Sequence, residues 1–315
     1  MLRLADDWVW DSWIADDGER YHLFFLRAPR ALGDPRLRHT AARIGHATST
    51  DLVEWEVSAD ALVPAAGRWD DLALWTGSVA RGDDGVWRLY YSALSTTRRL
   101  GVRDQRIGMA ESDDLFRWRR VGDRPLIAPD PRWYVTLDLG VSDTWRDPFV
   151  FKDPAGDGWH MLITARAVGA PRFRDGVLGH ARSSDMRTWE LQAPVSDAGA
   201  AGFGELEVSQ VRIVDGQPLL LFTCHPDQQS VEQVAAFGRC CTWSVACDSL
   251  TGPWALGGAH PFRGEPTLTA APLVRRRDGR WELLGFRNLE PDESAFEIVD
   301  PIPVALHDGE LIDLR

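Results

Sequence analysis

The chain has 315 residues, 44% of them hydrophobic, with 28 glycines, 19 prolines and 15 tryptophans, so it can bury a large core while turning often. A formal charge of −12 with no basic block excludes the clustered Lys and Arg that a nucleic-acid partner needs, and serves solubility. No run of about 18 apolar residues is present, which excludes a membrane-spanning helix.

From the N-terminus, no basic and apolar leader precedes the first strand-like run, so a cytoplasmic location is expected. Trp10-Asp11-Ser12 leads to an Asp17-Gly18 turn, the apolar run Tyr21-His22-Leu23-Phe24-Phe25, and then Ile44-Gly45-His46-Ala47-Thr48-Ser49-Thr50-Asp51 ending at Trp55. The same order returns as Trp75-Thr76-Gly77-Ser78, Asp84-Gly85, Trp87 to Tyr91, and Ile107 to Asp114 ending at Trp118. A third copy runs through Trp145-Arg146-Asp147-Pro148, Asp157-Gly158, Trp159 to Ile163, and Leu178 to Asp185 ending at Trp189. The fourth has Glu205-Leu206-Glu207, Asp215-Gly216, Leu219 to Phe222 and a degenerate Trp243 to Asp248 ending at Trp254. It also holds all four cysteines, Cys224, Cys240, Cys241 and Cys247. They lack a CxxC or a partnering His pair and read as reduced core thiols, so no metal or other cofactor is expected. The fifth copy has Thr269-Ala270-Ala271-Pro272, Asp278-Gly279 and Trp281 to Leu284.

Asp-Gly between β-rich runs signals a hairpin, and no stretch shows helical periodicity with caps. A unit of this size with about four strands is a propeller blade, and radial repetition leaves only short, protected sheet edges. Five copies predict an all-β, five-bladed β-propeller with a funnel-shaped central site, built as a single catalytic domain over residues 1–315. The repeated Ser-x-Asp and its Trp belong to the scaffold, as an outer turn and a large side chain wedged between blades.

Before each Asp-Gly hairpin lies the strand that would be innermost in its blade, and there the copies differ. Asp11, Ser78, Asp147 and Glu207 are expected to converge on the axis. Grouping three carboxylates is expensive unless they are paired or protonated, which points to function rather than scaffold. Two carboxyl groups acting on one sugar is the arrangement for glycosidic cleavage. The short, rigid Asp11 suits a nucleophile. Glu207, with two acidic neighbours, suits a general acid of raised pKa. Asp147, beside Arg146, should stay ionised and steady the transition state. Glu205 shares a strand face with Glu207 and could orient substrate or Arg146, or simply pair with Arg146 at the rim. Trp10, Trp13 and Trp75 could offer an indole platform for a sugar, with blade-core packing the alternative for Trp13 and Trp75. His225 follows a strand end and would reach the pocket rim.

At these residues the chain resembles the invertase and levansucrase superfamily, glycoside hydrolase families 32 and 68, over nearly its whole length. Val9-Trp10-Asp11-Ser12-Trp13 is similar to the levansucrase nucleophile run. Tyr21 to Phe25, Gly45 to Trp55 and Thr76-Gly77-Ser78 look more like invertases. Arg146-Asp147-Pro148 matches the Arg-Asp-Pro motif of both, and Glu205-Leu206-Glu207 resembles the levansucrase acid/base segment. The resemblance implies a five-bladed propeller and double displacement with retention on β-fructofuranosides, with Asp11 as nucleophile, Asp147 as stabiliser and Glu207 as acid/base. The Asn-Asp-Pro-Asn-Gly pattern of invertases is absent, Val208 stands where arginine or cysteine is usual, and the chain ends at Arg315 without room for the invertase C-terminal β-sandwich.

A small carbohydrate is therefore the expected partner. Two rivals remain: an inverting furanosidase of arabinofuranosidase type, with Asp11 as general base, and a non-catalytic sugar-binding propeller. Hydrolysis against transfer, linkage and oligomeric state are not encoded in these motifs.

Overall fold

The computed structural model describes residues 1–96, 104–137, 144–199, 201–288 and 296–315. Five four-stranded antiparallel sheets follow one another along the chain, each strand pairing with the next. Blade 1 comprises Asp7–Asp16, Tyr21–Pro29, Arg43–Ser49 and Glu56–Val57, and blade 2 Ala73–Arg81, Trp87–Leu94, Arg106–Ser112 and Arg119–Arg120. Blade 3 comprises Arg146–Lys152, Trp159–Arg166, Gly176–Ser183 and Glu190–Gln192. Blade 4 comprises Glu207–Val214, Gln217–Thr223, Thr242–Ala246 and His260–Pro261. Blade 5 comprises Leu273–Arg275, Trp281–Leu283, Ile302–His307 and Glu310–Asp313. Its two inner strands continue as the short pair Leu268–Thr269 and Phe286–Arg287. This is the expected five-bladed propeller. The ring closes through Leu2, whose N–H donates to Ile298 O at 2.9 Å while Ile298 N–H returns to Leu2 O at 3.0 Å.

The repeated signals do what their chemistry requires. The hairpin glycines Gly18, Gly85, Gly158, Gly216 and Gly279 all have positive φ, between 79° and 101°. In each Ser-x-Asp turn the serine hydroxyl and the aspartate carboxylate accept the turn's N–H groups: Leu52 N–H to Ser49 Oγ at 2.9 Å, and Val53 N–H to Asp51 Oδ1 at 2.9 Å. The tryptophans that follow wedge against the preceding blade. Trp118 meets Phe24 edge-on at 5.6 Å, and Trp189 meets Tyr90 at 5.7 Å. Gly108 in the third strand of blade 2 leaves room for the Tyr91 ring, which a Cβ would meet at 2.6 Å.

One element escaped the sequence reading. Among the described residues a single α-helix, Val231–Phe237, is capped by Ser230, which accepts from Gln233 N–H, and ends at Gly238 with φ 80°. At seven residues it is too short for a periodicity window, although the Ser-x-x-Gln spacing of a capping box was there to be read. None of the described helices is long and apolar enough to cross a membrane. All four cysteines are free and buried in blade 4.

Blades 1 and 3 share a buried histidine pair held by a hairpin aspartate. His22 Nδ1 lies 3.0 Å from His46 Nε2 and His22 Nε2 lies 3.0 Å from Asp17; the same contacts in blade 3 join His160, His180 and Asp153 at 2.8 Å. Burial, then the neighbouring histidine, lowers His46 and His180 to about 4. The unfolded chain, with histidines near 6.5, binds these protons first, so this part of the stability is present above pH 6.5 and is lost as pH falls toward 4. The midpoint of thermal unfolding should therefore drop between pH 7 and pH 5, and drop less in His180→Gln. Equal drops in the variant and the wild type would remove the pair from this account.

Candidate active site

Every blade carries the same irregularity on its innermost strand. The ladder pairs Trp10 with Leu26 and then Ser12 with Phe25, leaving Asp11 as an extra residue. The break recurs at Thr76 in blade 2, at Asp147 between Arg146↔Thr164 and Phe149↔Leu162, and at Val208 between Glu207↔Thr223 and Gln210↔Leu221. Ala270 occupies the same place in blade 5, between Thr269↔Phe286 and Leu273↔Leu283. Asp11, Asp147, Val208 and Ala270 have φ of 27°, 55°, 48° and 46°. A β-bulge re-aims its residue out of the pleat, here toward the axis. In blade 2, Gly77 beside the bulge has no room for a side chain, since a Cβ would lie 1.8 Å from Tyr90 O. Hydroxyls from the preceding blade hold two of these bulges: Ser92 Oγ accepts Asp147 N–H at 2.7 Å, and Thr223 Oγ1 accepts Ala270 N–H at 3.0 Å.

The bulges correct the expected alignment of the site. Asp11 and Asp147 are equivalent, but their counterpart in blade 2 is Thr76, not Ser78, and in blade 4 it is Val208. Glu207 stands one residue earlier, in register with Trp10, Trp75, Arg146 and Thr269. An extra residue exchanges the two faces of a strand, so a motif aligned by eye slips by one position. Ser78 consequently misses the funnel, and its hydroxyl accepts Val150 N–H at 3.1 Å on the far side of the bulge.

The funnel is a cavity of about 500 Å³ lined by Asp11, Asp147, Glu205 and Glu207, together with Trp10, Trp75, Arg146 and His225. Arg146 is its hub. Its Nη2 binds Glu205 at 2.5 Å and also Glu207, while Nε is 3.4 Å from Asp147 Oδ2 and Nη1 reaches Gln105 Oε1 at 3.2 Å. Arg166 holds the other oxygen of Glu205 at 2.5 Å. Glu205 and Glu207 thus face the same side, as strand alternation requires, and the Arg146–Glu205 pair is real and lies inside the funnel.

The electrostatics follow from burial. Desolvation raises Asp11 to about 6, against a hydrogen bond from the Thr76 hydroxyl and with Glu207 adding to the rise. Asp147 climbs to about 7, again by desolvation first, although Arg146 opposes it. The expectation that Arg146 would keep Asp147 ionised is overturned, because one guanidinium is divided among three carboxylates and Asp147 has the longest contact. Asp147 Oδ2 also has the Thr164 hydroxyl at 3.0 Å and Val208 N–H at 3.4 Å. For Glu205 burial pushes upward, but Arg146 and Arg166 outweigh it and hold the carboxyl low. His225 Nε2 is 3.6 Å from Glu207 Oε2 and Nδ1 is 4.0 Å from Cys241 Sγ. Burial works against its charge, but Cys241 and Glu207 raise it to about 9.

Trp10 and Trp75 both line the funnel, and the indole N–H of Trp75 donates to His39 O at 2.8 Å. Trp13 does not line it; it stacks on Phe24 at 6.2 Å within the core of blades 1 and 2. Sequence reasoning missed Arg38 and His39, carried into the funnel by the 3₁₀ segment Pro35–Thr40, and also Gln105, Arg166 and Gln228. Arg166 ends the second strand of blade 3, and its charge beside an acidic axis was the one readable signal; the others come from loops and short 3₁₀ segments between strands, whose paths no local pattern encodes.

A five-bladed propeller whose axial funnel opposes carboxylates and arginines defines a site for a polar ligand. The family model for the glycosyl hydrolases family 32 N-terminal domain matches residues 13–244. The chain belongs to that family, with Asp147 and Glu207 inside the matched span and Asp11 two residues before it. Among curated relatives, it is 32% identical over 175 residues to the β-fructofuranosidase, insoluble isoenzyme 6, of Oryza sativa subsp. japonica, covering 55% of this chain and 26% of that protein. It is 27% identical over 188 residues to the sucrose-6-phosphate hydrolase of Bacillus subtilis (strain 168), covering 59% and 34%. The chain thus spans about a third or less of the length of these relatives. Among solved structures, the inulosucrase from Halalkalicoccus jeotgali bound to kestose superposes with TM-score 0.75 at 22% identity, over 98% of this chain and 87% of that one. Bacillus subtilis levansucrase gives 0.76 at 14% identity, over 99% and 87%.

Proposed function

We propose that this chain cleaves or transfers the fructosyl group of β-fructofuranosides, such as sucrose or short fructans, by double displacement with retention. The convergence of Asp11, Asp147 and Glu207 in one funnel, with Arg146 between two of them, carries the reading. Asp11 attacks the anomeric carbon as a carboxylate while Glu207 gives its proton to the leaving oxygen; the C–O bond to the aglycone breaks as the ester to Asp11 forms. Water or a sugar hydroxyl then attacks the same carbon, Glu207 takes its proton, and Asp11 leaves as the carboxylate. Asp147, partly protonated near neutrality, binds the ring hydroxyls and steadies the positive charge of the transition state. Trp10 and Trp75 supply apolar faces for the sugar, and Glu205 fixes Arg146. Residues 1–315 act as one catalytic unit. Four buried free thiols support a reducing, cytoplasmic setting.

Attack requires ionised Asp11, so kcat/KM should rise with pH through an apparent midpoint near 6, shared with the coupled Asp147. A rate flat from pH 5 to 8 would contradict the assignment. The reading itself is tested by product analysis on sucrose, inulin, levan and aryl furanosides, following anomeric configuration by NMR. Inverted product removes Asp11 as nucleophile, and no turnover of any fructoside removes the substrate class.

A further inference from the structure

Beneath the funnel, on the other side of the bulges, the inner strands line a second, smaller cavity of about 50 Å³. Blade 1 contributes Ser12 and Trp13, blade 2 contributes Ser78, and blade 4 contributes Ser209 and Arg212. These groups share one property, which is that they have protons to give. The hydroxyls of Ser12 and Ser209 and the indole N–H of Trp13 are buried, with residue exposures of 2%, 1% and 5%, and have no hydrogen-bond partner. Ser78 accepts from Val150 N–H, which leaves its own proton to donate. Arg212 donates to Leu273 O at 3.3 Å and Val211 O at 3.0 Å and lies over the Phe149 ring at 5.0 Å, but no carboxylate pairs with it among the described residues.

Leaving one buried donor unpaired costs about 1–3 kcal/mol. Three together, beside a cation that no described carboxylate pairs, are a site lacking its acceptor. Gln210, which also lines the cavity, cannot serve, because its amide is spent on Ala271 O and Leu273 N–H. Asp147 lines the same cavity, but its Oδ2 already accepts from the Thr164 hydroxyl at 3.0 Å and Val208 N–H at 3.4 Å. A water occupies about 30 Å³ in the liquid, so the space suits one monatomic ion and is too small for a sugar ring.

We propose that this axial cavity is a halide site, occupied by chloride, which accepts from Arg212, Ser12, Ser209, Ser78 and Trp13 and ties blades 1, 2 and 4 together beneath the active site. Its occupancy stabilises the folded chain by mass action, since the unfolded chain has no such site.

The test uses the intact protein. Crystals grown with sodium bromide should show an anomalous bromine peak beside Arg212. Thermal unfolding in sodium chloride should exceed that in sodium gluconate of equal ionic strength by roughly 2 °C, saturating with chloride. The difference should vanish in Arg212→Met. If that variant does not fold, Ser209→Ala is the substitute and should weaken the chloride dependence, and the bromide map of the wild type decides independently. A cavity holding only water in the bromide map, or equal unfolding midpoints in chloride and gluconate, overturns the proposal.

Discussion

Asp11→Asn should lower kcat by on the order of 10,000-fold while leaving fructoside binding within a few-fold of the wild type. Asparagine keeps the shape of the side chain, and its carbonyl oxygen can still accept from the Thr76 hydroxyl, so the funnel is preserved and only the attacking charge is lost. The stability of the variant should move the other way. Desolvation raises Asp11 to about 6, so the native state disfavours its charge, and a neutral side chain removes that penalty at pH 7. The paired outcome, near-complete loss of turnover with an unfolding midpoint at or above the wild type, is what a residue kept for chemistry rather than for the fold should give. Steady-state kinetics, calorimetric binding of a non-hydrolysed fructoside and thermal unfolding read the three quantities. Turnover within tenfold of the wild type would show that Asp11 is not the nucleophile.

Arg146→Gln should behave in the opposite sense. Arg146 is 8% exposed and contacts Glu205, Glu207 and Asp147, which no second cation can replace as a group, since Arg166 reaches only Glu205 among them. Removing the central partner of a buried ionic cluster leaves uncompensated charge, and such deletions cost about 3–5 kcal/mol. Denaturant unfolding at pH 7 should show a loss of that size. The loss should narrow at pH 5, where carboxylates stranded by the substitution can take up protons. Arg146→Lys, which restores a point charge but not a fork that reaches several carboxylates, should recover only part of the stability and less of the activity. An Arg146→Gln protein as stable as the wild type at pH 7 would mean that the cluster is solvated and the burial argument is wrong.

The repeat was legible because its signals are local. Asp-Gly turns, Ser-x-Asp turns and a tryptophan at a fixed distance act within a few residues, and their spacing gave the blade count directly. The members of the carboxylate site were legible too, since each acid lies just before a blade's first hairpin, where the five copies differ; Asp11, Asp147, Glu205 and Glu207 all line the funnel. The helix Val231–Phe237 lay below the length at which periodicity speaks, and Arg38 and His39 arrived on a 3₁₀ segment whose path depends on the blades it crosses.

What sequence alone determined, then, was the architecture and the identity of the acids. Register belonged to the tertiary structure. A bulge is invisible in a string of residues because it is defined by the partner strand, and the repeated bulge is what separates Thr76 from Ser78 and sets Glu207 beside Arg146 rather than level with Asp147. Charge state was decided there as well. Adjacency in sequence promised Asp147 an arginine of its own, whereas packing buried both and shared that arginine among three carboxylates, so desolvation prevailed. Local chemistry is written residue by residue, but solvation and register are properties of what the chain packs against.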